Sequence, residues 1–196
     1  DVDWDAFLFN RPKVPFDPRF LRRWHLYKLC TNGISGLWMA HYSDAVHMIT
    51  GSTYPASAVA HGGVYVWEDG REHDDTFQTL IEYPEGYLMS WAMGLGNSLG
   101  VHFTLHGTAG TMDLEKWTIS GAGGADPKKI EERKIASDPN ESHMGNWLEC
   151  IRSRKRPNAD IQYGHQHSVA TILAADARYA GTRMVYDPAN RTIRPG

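Results

Sequence analysis

From Phe77 onward the chain alternates. Phe77, Thr79, Ile81 and Tyr83 take every second position up to Pro84-Glu85-Gly86, and Tyr87, Met89, Trp91 and Met93 resume the pattern beyond it. A period of two puts one set of side chains on one face of an extended strand. The three-residue stop between the runs is far too short for the crossover that parallel strands need, so these strands must run antiparallel. The same signal extends to both sides. Val64 and Val66 alternate before Trp67, followed by the hairpin-type Asp69-Gly70. Val101, Phe103 and Leu105 share a face opposite His102, Thr104 and His106. Gly107–Gly110 turns into Thr111–Leu114, and Trp117 with Ile119 predicts one more short strand.

Helical spacing brackets this region. Residues 32–50 read as a helix stopped by Gly51, and Leu37, Ala40, Ala45, Met48 and Ile49 leave it so little polar face that burial nearly all round is expected. Met144, Trp147, Leu148 and Ile151 fall at i, i+3, i+4 and i+7. After Pro157, Val169, Ile172, Leu173, Ala177 and Ala180 form another stripe ended by Gly181, and Arg183–Tyr186 reads as a last strand. The expectation is one α+β domain spanning residues 1–196, a mainly antiparallel sheet with helices on one face. Apolar residues on both faces of some strands predict that the other sheet face is used for oligomerisation. Residues 1–30 carry Trp4, Phe7, Phe9, Phe16, Phe20, Trp24 and Tyr27 without a steady period, the mark of a wrapping segment whose aromatics form a seam or a pocket wall.

Charge and composition exclude several classes. A formal net charge of -3 and a pI near 6.4 give no footprint for nucleic acid or an anionic membrane. The short run Arg152–Arg156 reads as a solvated helix end. No apolar run approaches the ~20 residues of a membrane span, and no signal peptide is visible. A chain beginning at Asp1 without Met reads as a fragment, a processed form or a trimmed form. Cys30 and Cys150 are no disulfide framework, so a reducing, cytoplasmic setting is expected, with periplasm or secretion if an export signal was removed.

The residues that carry chemistry are mostly histidines. His41, Asp44 and His47 lie at i, i+3, i+6 and cover an arc of ~120° on a helix. Asp44 can satisfy a core histidine, or it can orient His41 as an acid/base at a pocket. No HExxH or Cys–His framework accompanies them, so a metal is not expected. His143 and Asn146 open one helix, while His165 and His167 are expected just before the last one. Arg19, beside Arg22 and Arg23, is a candidate for holding ligand oxygens. The glycines of Gly94–Gly100 are spaced GxGxxxG and lead into an alternating segment rather than a helix, which argues against a dinucleotide loop.

Several segments in order along the chain resemble the C-terminal domain of the Gfo/Idh/MocA oxidoreductases. They are Asp3-Trp4-Asp5, Gly36 through Asp44, His61-Gly62-Gly63, Asp69-Gly70-Arg71, Glu82–Gly86, Gly107–Thr111, Asn146–Pro157 and Tyr186-Asp187-Pro188. Among them it resembles bacterial members of the glucose–fructose oxidoreductase-like kind. The resemblance implies a Rossmann domain preceding Asp1 that holds NAD or NADP and a catalytic lysine. This chain would then cup the sugar and pair subunits through its open sheet face. It aligns His41 with the family's catalytic histidine and Asp44 with the aspartate after it. The chain departs from the family at Leu37, where an aspartate precedes the histidine by four, and at Met39, where a glycine precedes it by two. Leucine can neither accept nor orient a proton, so Tyr42, His143 or His165 become candidates to fill that place.

Three functions follow. The first is the substrate-side domain of an NAD(P)-dependent enzyme acting on a sugar or polyol, incapable of hydride transfer alone, with His41 and Asp44 catalytic and Arg19, Trp38, Tyr42, His143 and His165 binding substrate. The second is a non-catalytic sugar-binding or assembly module that has lost its cofactor domain. A histidine-based metal hydrolase is a third, which metal analysis would exclude.

Overall fold

A computed structural model describes every residue except Leu99 and residues 137–141. The alternating runs form the hairpin expected of them. Strand β2 (Thr76–Tyr83) pairs with β3 (Tyr87–Gly94) from Thr76↔Gly94 to Tyr83↔Tyr87. Gly86 takes φ +89° in the turn, a conformation glycine adopts without a Cβ penalty. Phe77, Thr79, Ile81 and Tyr83 are buried on the face shared with Met89 and Trp91. Strand β1 (Ser57–Gly63) adds to β2 and is followed in space by β8 (Met184–Asp187) and β9 (Thr192–Pro195). The sheet order is β3-β2-β1-β8-β9, antiparallel throughout.

The long connection between β1 and β2 corrects one expectation. Val64 and Val66 are not in a strand, and residues 64–67 are exposed loop. The cause is Asp75, whose fully buried carboxylate accepts from the backbone N–H groups of Tyr65, Val66 and Trp67 at 2.8–3.1 Å and from the Thr76 hydroxyl at 3.0 Å. Those amides are taken by a side chain instead of a ladder, so the alternation cannot be read out as pairing.

Helices α3 (Ala40–Thr50) and α5 (Ile161–Ala180) pack against each other, and α5 lies against β1 and β8. Alpha5 is capped by Asp160, which accepts from the amides of Gln162 and Tyr163, and ends at Gly181 in the left-handed region. It begins at Ile161, so His165 and His167 sit within its first two turns rather than before it. Alpha3 is preceded by a π-helical turn, Ser35–Met39, and stops at Gly51 as expected. It is buried along one stripe only: Met39, Ser43, Val46 and His47 are inside, while Met48 is largely exposed. The inward residues are partly polar, which the count of apolar positions could not register. Ser43 donates to the Met39 carbonyl, and His47 Nε2 shares a 2.8 Å hydrogen bond with the Tyr83 hydroxyl. Burial pushes the His47 imidazole below its ordinary pKa and the Tyr83 phenol above its own.

Before the sheet lie α1 (Trp4–Leu8) and α2 (Pro18–Arg22), each opened by an aspartate cap, Asp3 and Asp17. Their aromatics cluster: Trp4 stacks on Phe7 at 5.0 Å, meets Phe16 edge-on at 5.3 Å and lies 6.1 Å from Phe20. Further on, the Leu26 carbonyl accepts from the amides of Glu72 and His73, while Glu72 accepts from Lys28 N–H at 2.7 Å.

These elements belong to a unit made of Asp1–Asn97 and Ala159–Gly196; Ser98–Asn158 forms a second compact unit. The second holds a four-stranded antiparallel sheet, β4 (Thr104–Gly107), β5 (Gly110–Asp113), β6 (Thr118–Ser120) and β7 (Arg133–Lys134), and helix α4 (His143–Ser153) capped by Ser142. The strand expected from Val101 begins only at Thr104. The stripe of Met144, Trp147, Leu148 and Ile151 exists on α4 but is exposed. The fold class is α+β with antiparallel sheets. Among the described residues no helix is long and apolar enough to cross a membrane.

Candidate active site

In the first unit, a cleft of about 560 Å³ opens where four stretches of chain converge. The single helical turn Trp24–Leu26 forms one wall. The π-helical turn and the start of α3 form a second, through Ile34, Leu37, Trp38 and His41. Residues 37, 38 and 41 fall on one side of a helix, and an inserted π turn is a frequent device for aiming side chains at a site. The loop clasped by Asp75 contributes Trp67 and Arg71, and its continuation contributes His73 and Asp74. Leu95 closes the floor.

The charged groups of this cleft are already engaged. Arg71 donates through Nε and Nη2 to the Asp69 carboxylate at 2.8 Å each, and its guanidinium lies 4.7 Å from the centroid of the Trp67 ring. The Arg71 bonds hold the Asp69 carboxyl at about 2. Asp74 accepts from Arg178 at 2.7 and 3.1 Å. His73 uses both ring nitrogens. Its Nε2–H donates to the Thr31 carbonyl at 2.9 Å, which leaves Nδ1 to accept from the Tyr179 hydroxyl at 2.8 Å. Burial pushes the His73 imidazole down against the upward pull of its carbonyl partner, and pushes Tyr179 up to about 12. A ring fixed this way is a wall brace, not a proton carrier. Gly33, at φ +72°, passes so close that a Cβ there would lie 2.7 Å from His73 Nδ1. His25 and His41, by contrast, have no hydrogen-bond partner among the described residues.

Of the residues singled out from the sequence, Trp38 and His41 stand together in the cleft. Leu37 is there too, as apolar wall. Asp44 meets His167, whose Nδ1 lies 3.3 Å from its Oδ1. Tyr42 sets its ring 6.4 Å from Trp91. His165 Nδ1 bonds the Tyr54 hydroxyl at 3.0 Å, and Arg19 is closed on Asp17 at 2.6–2.8 Å. None of these four lines the cleft. His143 is the first residue of α4, in the other unit. Sequence reasoning passed over His25, Trp67, Arg71, His73 and Asp74 as site residues. Trp24 belonged to the aromatic segment suspected of forming a pocket wall, whereas Trp67 and Arg71 were visible only as hairpin neighbours.

No family model and no curated protein matches the chain. Solved structures do. An NAD-binding protein from Listeria innocua superposes with a TM-score of 0.63 at 16% identity, over 90% of this chain and 56% of that one. The WlbA dehydrogenase from Bordetella pertussis, in complex with NADH and UDP-GlcNAcA, gives 0.59 at 19%, over 84% and 48%. At these identities the likeness is one of fold, and the fold is one found in NAD-binding dehydrogenase structures. The UDP-N-acetylglucosamine 3-dehydrogenase GnnA from Acidithiobacillus ferrooxidans matches at 0.56 and 17%, over 85% and 52%. The chain thus spans about half the length of these neighbours.

The glycine segment 94–100 does not lead into a helix. Beta3 ends at Gly94, and no helix follows the glycines up to Gly100, of which Leu99 lies outside the described residues. A pyrophosphate therefore finds no helix N-terminus there. No group of three or more His, Cys, Asp or Glu able to hold a metal ion occurs among the described residues.

Proposed function

We propose that this chain is the substrate-side, C-terminal domain of an NAD(P)-dependent oxidoreductase acting on a sugar or polyol, the nicotinamide being held by a nucleotide-binding half of the parent protein. The observation that carries this reading is the meeting of His41 with Trp38 in a cleft on a fold shared with such enzymes. His41 heads α3 with a side chain free to reach a ligand hydroxyl. In that position it accepts the hydroxyl proton or anchors the oxygen while the carbinol carbon is turned outward. Asp44 acts through His167, tying α3 to α5, and Leu37 contributes only apolar surface.

In the same reading, subunits pair through the sheet face that carries Val59, Leu80 and Leu88, all exposed here. Light scattering on the purified protein tests this, with a dimer or larger assembly expected.

The functional test joins this chain to its nucleotide-binding half and follows nicotinamide reduction over a panel of sugars and polyols. His41→Asn is expected to lower kcat/KM by about 10²–10⁴-fold, the usual worth of a positioned acid/base. Unchanged turnover in that variant refutes the assignment. Sugar binding without any nicotinamide reduction would support the binding-module reading, for which Leu37 speaks.

A further inference from the structure

We infer that the cleft selects an uncharged sugar or polyol ring, without phosphate, nucleotide or carboxylate, laid against tryptophan faces; this deepens the sugar reading above and rests on it. Three indoles, Trp24, Trp38 and Trp67, open onto one cleft and remain 43, 48 and 38% exposed. A soluble surface rarely gathers that much aromatic area without a ligand to cover it. The C–H face of a pyranose or inositol is apolar and flat enough to lie on an indole, while its rim of hydroxyls needs hydrogen-bonding groups. His25 and His41 are the lining side chains whose ring nitrogens have no protein partner among the described residues.

Charge decides the rest. A phosphate or carboxylate leaves water only for a matching cation. The one cationic lining side chain other than the histidines is Arg71, and Asp69 holds it with two hydrogen bonds while Trp67 covers it. Its side chain is 8% exposed. Asp74, in turn, is neutralised by Arg178. The lining therefore presents no unspent positive charge to an anion and no unspent negative charge to an amine. The Asp69–Arg71 clasp is the specificity device: it keeps a guanidinium in the wall but out of use.

The test is an intrinsic-fluorescence titration of the whole chain at about pH 8, above the ordinary histidine range, with calorimetry as the second readout. The probes are neutral hexoses, pentoses, methyl glycosides and inositols, set against glucuronate, glucose 6-phosphate and UDP. At least one neutral ring is expected to saturate, with each charged probe at least ten-fold weaker. Trp67→Ala and Trp38→Ala are expected to weaken the neutral ring at least five-fold with unchanged thermal melts. Asp69→Asn, which releases Arg71, is expected to raise affinity for glucuronate or glucose 6-phosphate about five-fold while leaving the neutral ring's affinity alone. A charged probe that saturates at or below the concentration of every neutral ring overturns the inference and leaves the sugar reading standing. Saturation by no probe of either kind overturns both.

Discussion

Replacing Asp75 with asparagine isolates the device that shapes the cleft loop. The Asp75 carboxylate accepts from three consecutive amides and one hydroxyl, and it is fully buried. Hydrogen bonds to a buried charge are worth about 1.5–3 kcal/mol each in net terms. An asparagine keeps one oxygen that can serve two amides, but it turns an NH2 group toward the other donors. The expected loss is about 2–4 kcal/mol, less than full removal because the loop can relax into solvent. For a chain of this size that is a fall in Tm of roughly 5–15 °C. The pH dependence supplies a second check. Burial pushes the Asp75 carboxyl up, but its bonds to Tyr65, Val66, Trp67 and Thr76 outweigh this and hold it below the ordinary value. A depressed folded pKa means that the stabilisation is complete above about pH 4 and is lost as pH falls through the lower, folded value. Melts followed by circular dichroism should therefore show a wide gap between wild type and Asp75→Asn at neutral pH that narrows in acid. A gap of only about 1 °C at pH 7, or one that acid leaves unchanged, would refute the clasp as the loop's anchor.

Three further outcomes are expected. Arg178→Met strands the nearly buried Asp74 carboxylate and should cost about 3–5 kcal/mol in a denaturant titration. Gly33→Ala should cost more than Gly51→Ala: both are left-handed and lose about 1–2 kcal/mol for that alone, but only Gly33 would drive a Cβ against His73. Stability should fall as pH drops below about 6.5, because burial depresses His47 and His73 and the unfolded chain then binds more protons than the folded one. Tyr179→Phe combined with His73→Leu should flatten that fall, as read from melts between about pH 7 and pH 5.

The parts of the fold set by local chemistry were readable in the sequence. The β2–β3 hairpin follows from strict alternation interrupted at Pro84-Glu85-Gly86, and α5 from a spaced apolar stripe closed by Gly181. What escaped depends on partners distant in the chain. Residues 64–67 alternate like a strand, yet Asp75 withdraws their amides, and no periodicity reports a carboxylate ten positions away. Strand β9 is short, polar and ends in proline, so its only signal was the strand it pairs with. In the site, His41 and Trp38 were accessible because they share a helix. His73 was not, since its meaning comes from Thr31 on one side and Tyr179 on the other. The Asp44–His167 contact likewise joins α3 to α5 and has no footprint in local spacing.

The order of strands in the larger sheet bears on how the chain is made. Beta1 lies between β2 and β8, while residues 64–183 stand between β1 and β8 in the sequence. On the ribosome, at about 5–20 residues per second, several seconds pass after β1 emerges before its second neighbour exists. During that interval one side of β1 is an open edge, and the helix that covers this face of the sheet is still unmade. The nascent protein thus keeps an open strand edge until late in synthesis, and a truncation before Met184 would leave that edge permanently available to chaperones or to other unfinished chains.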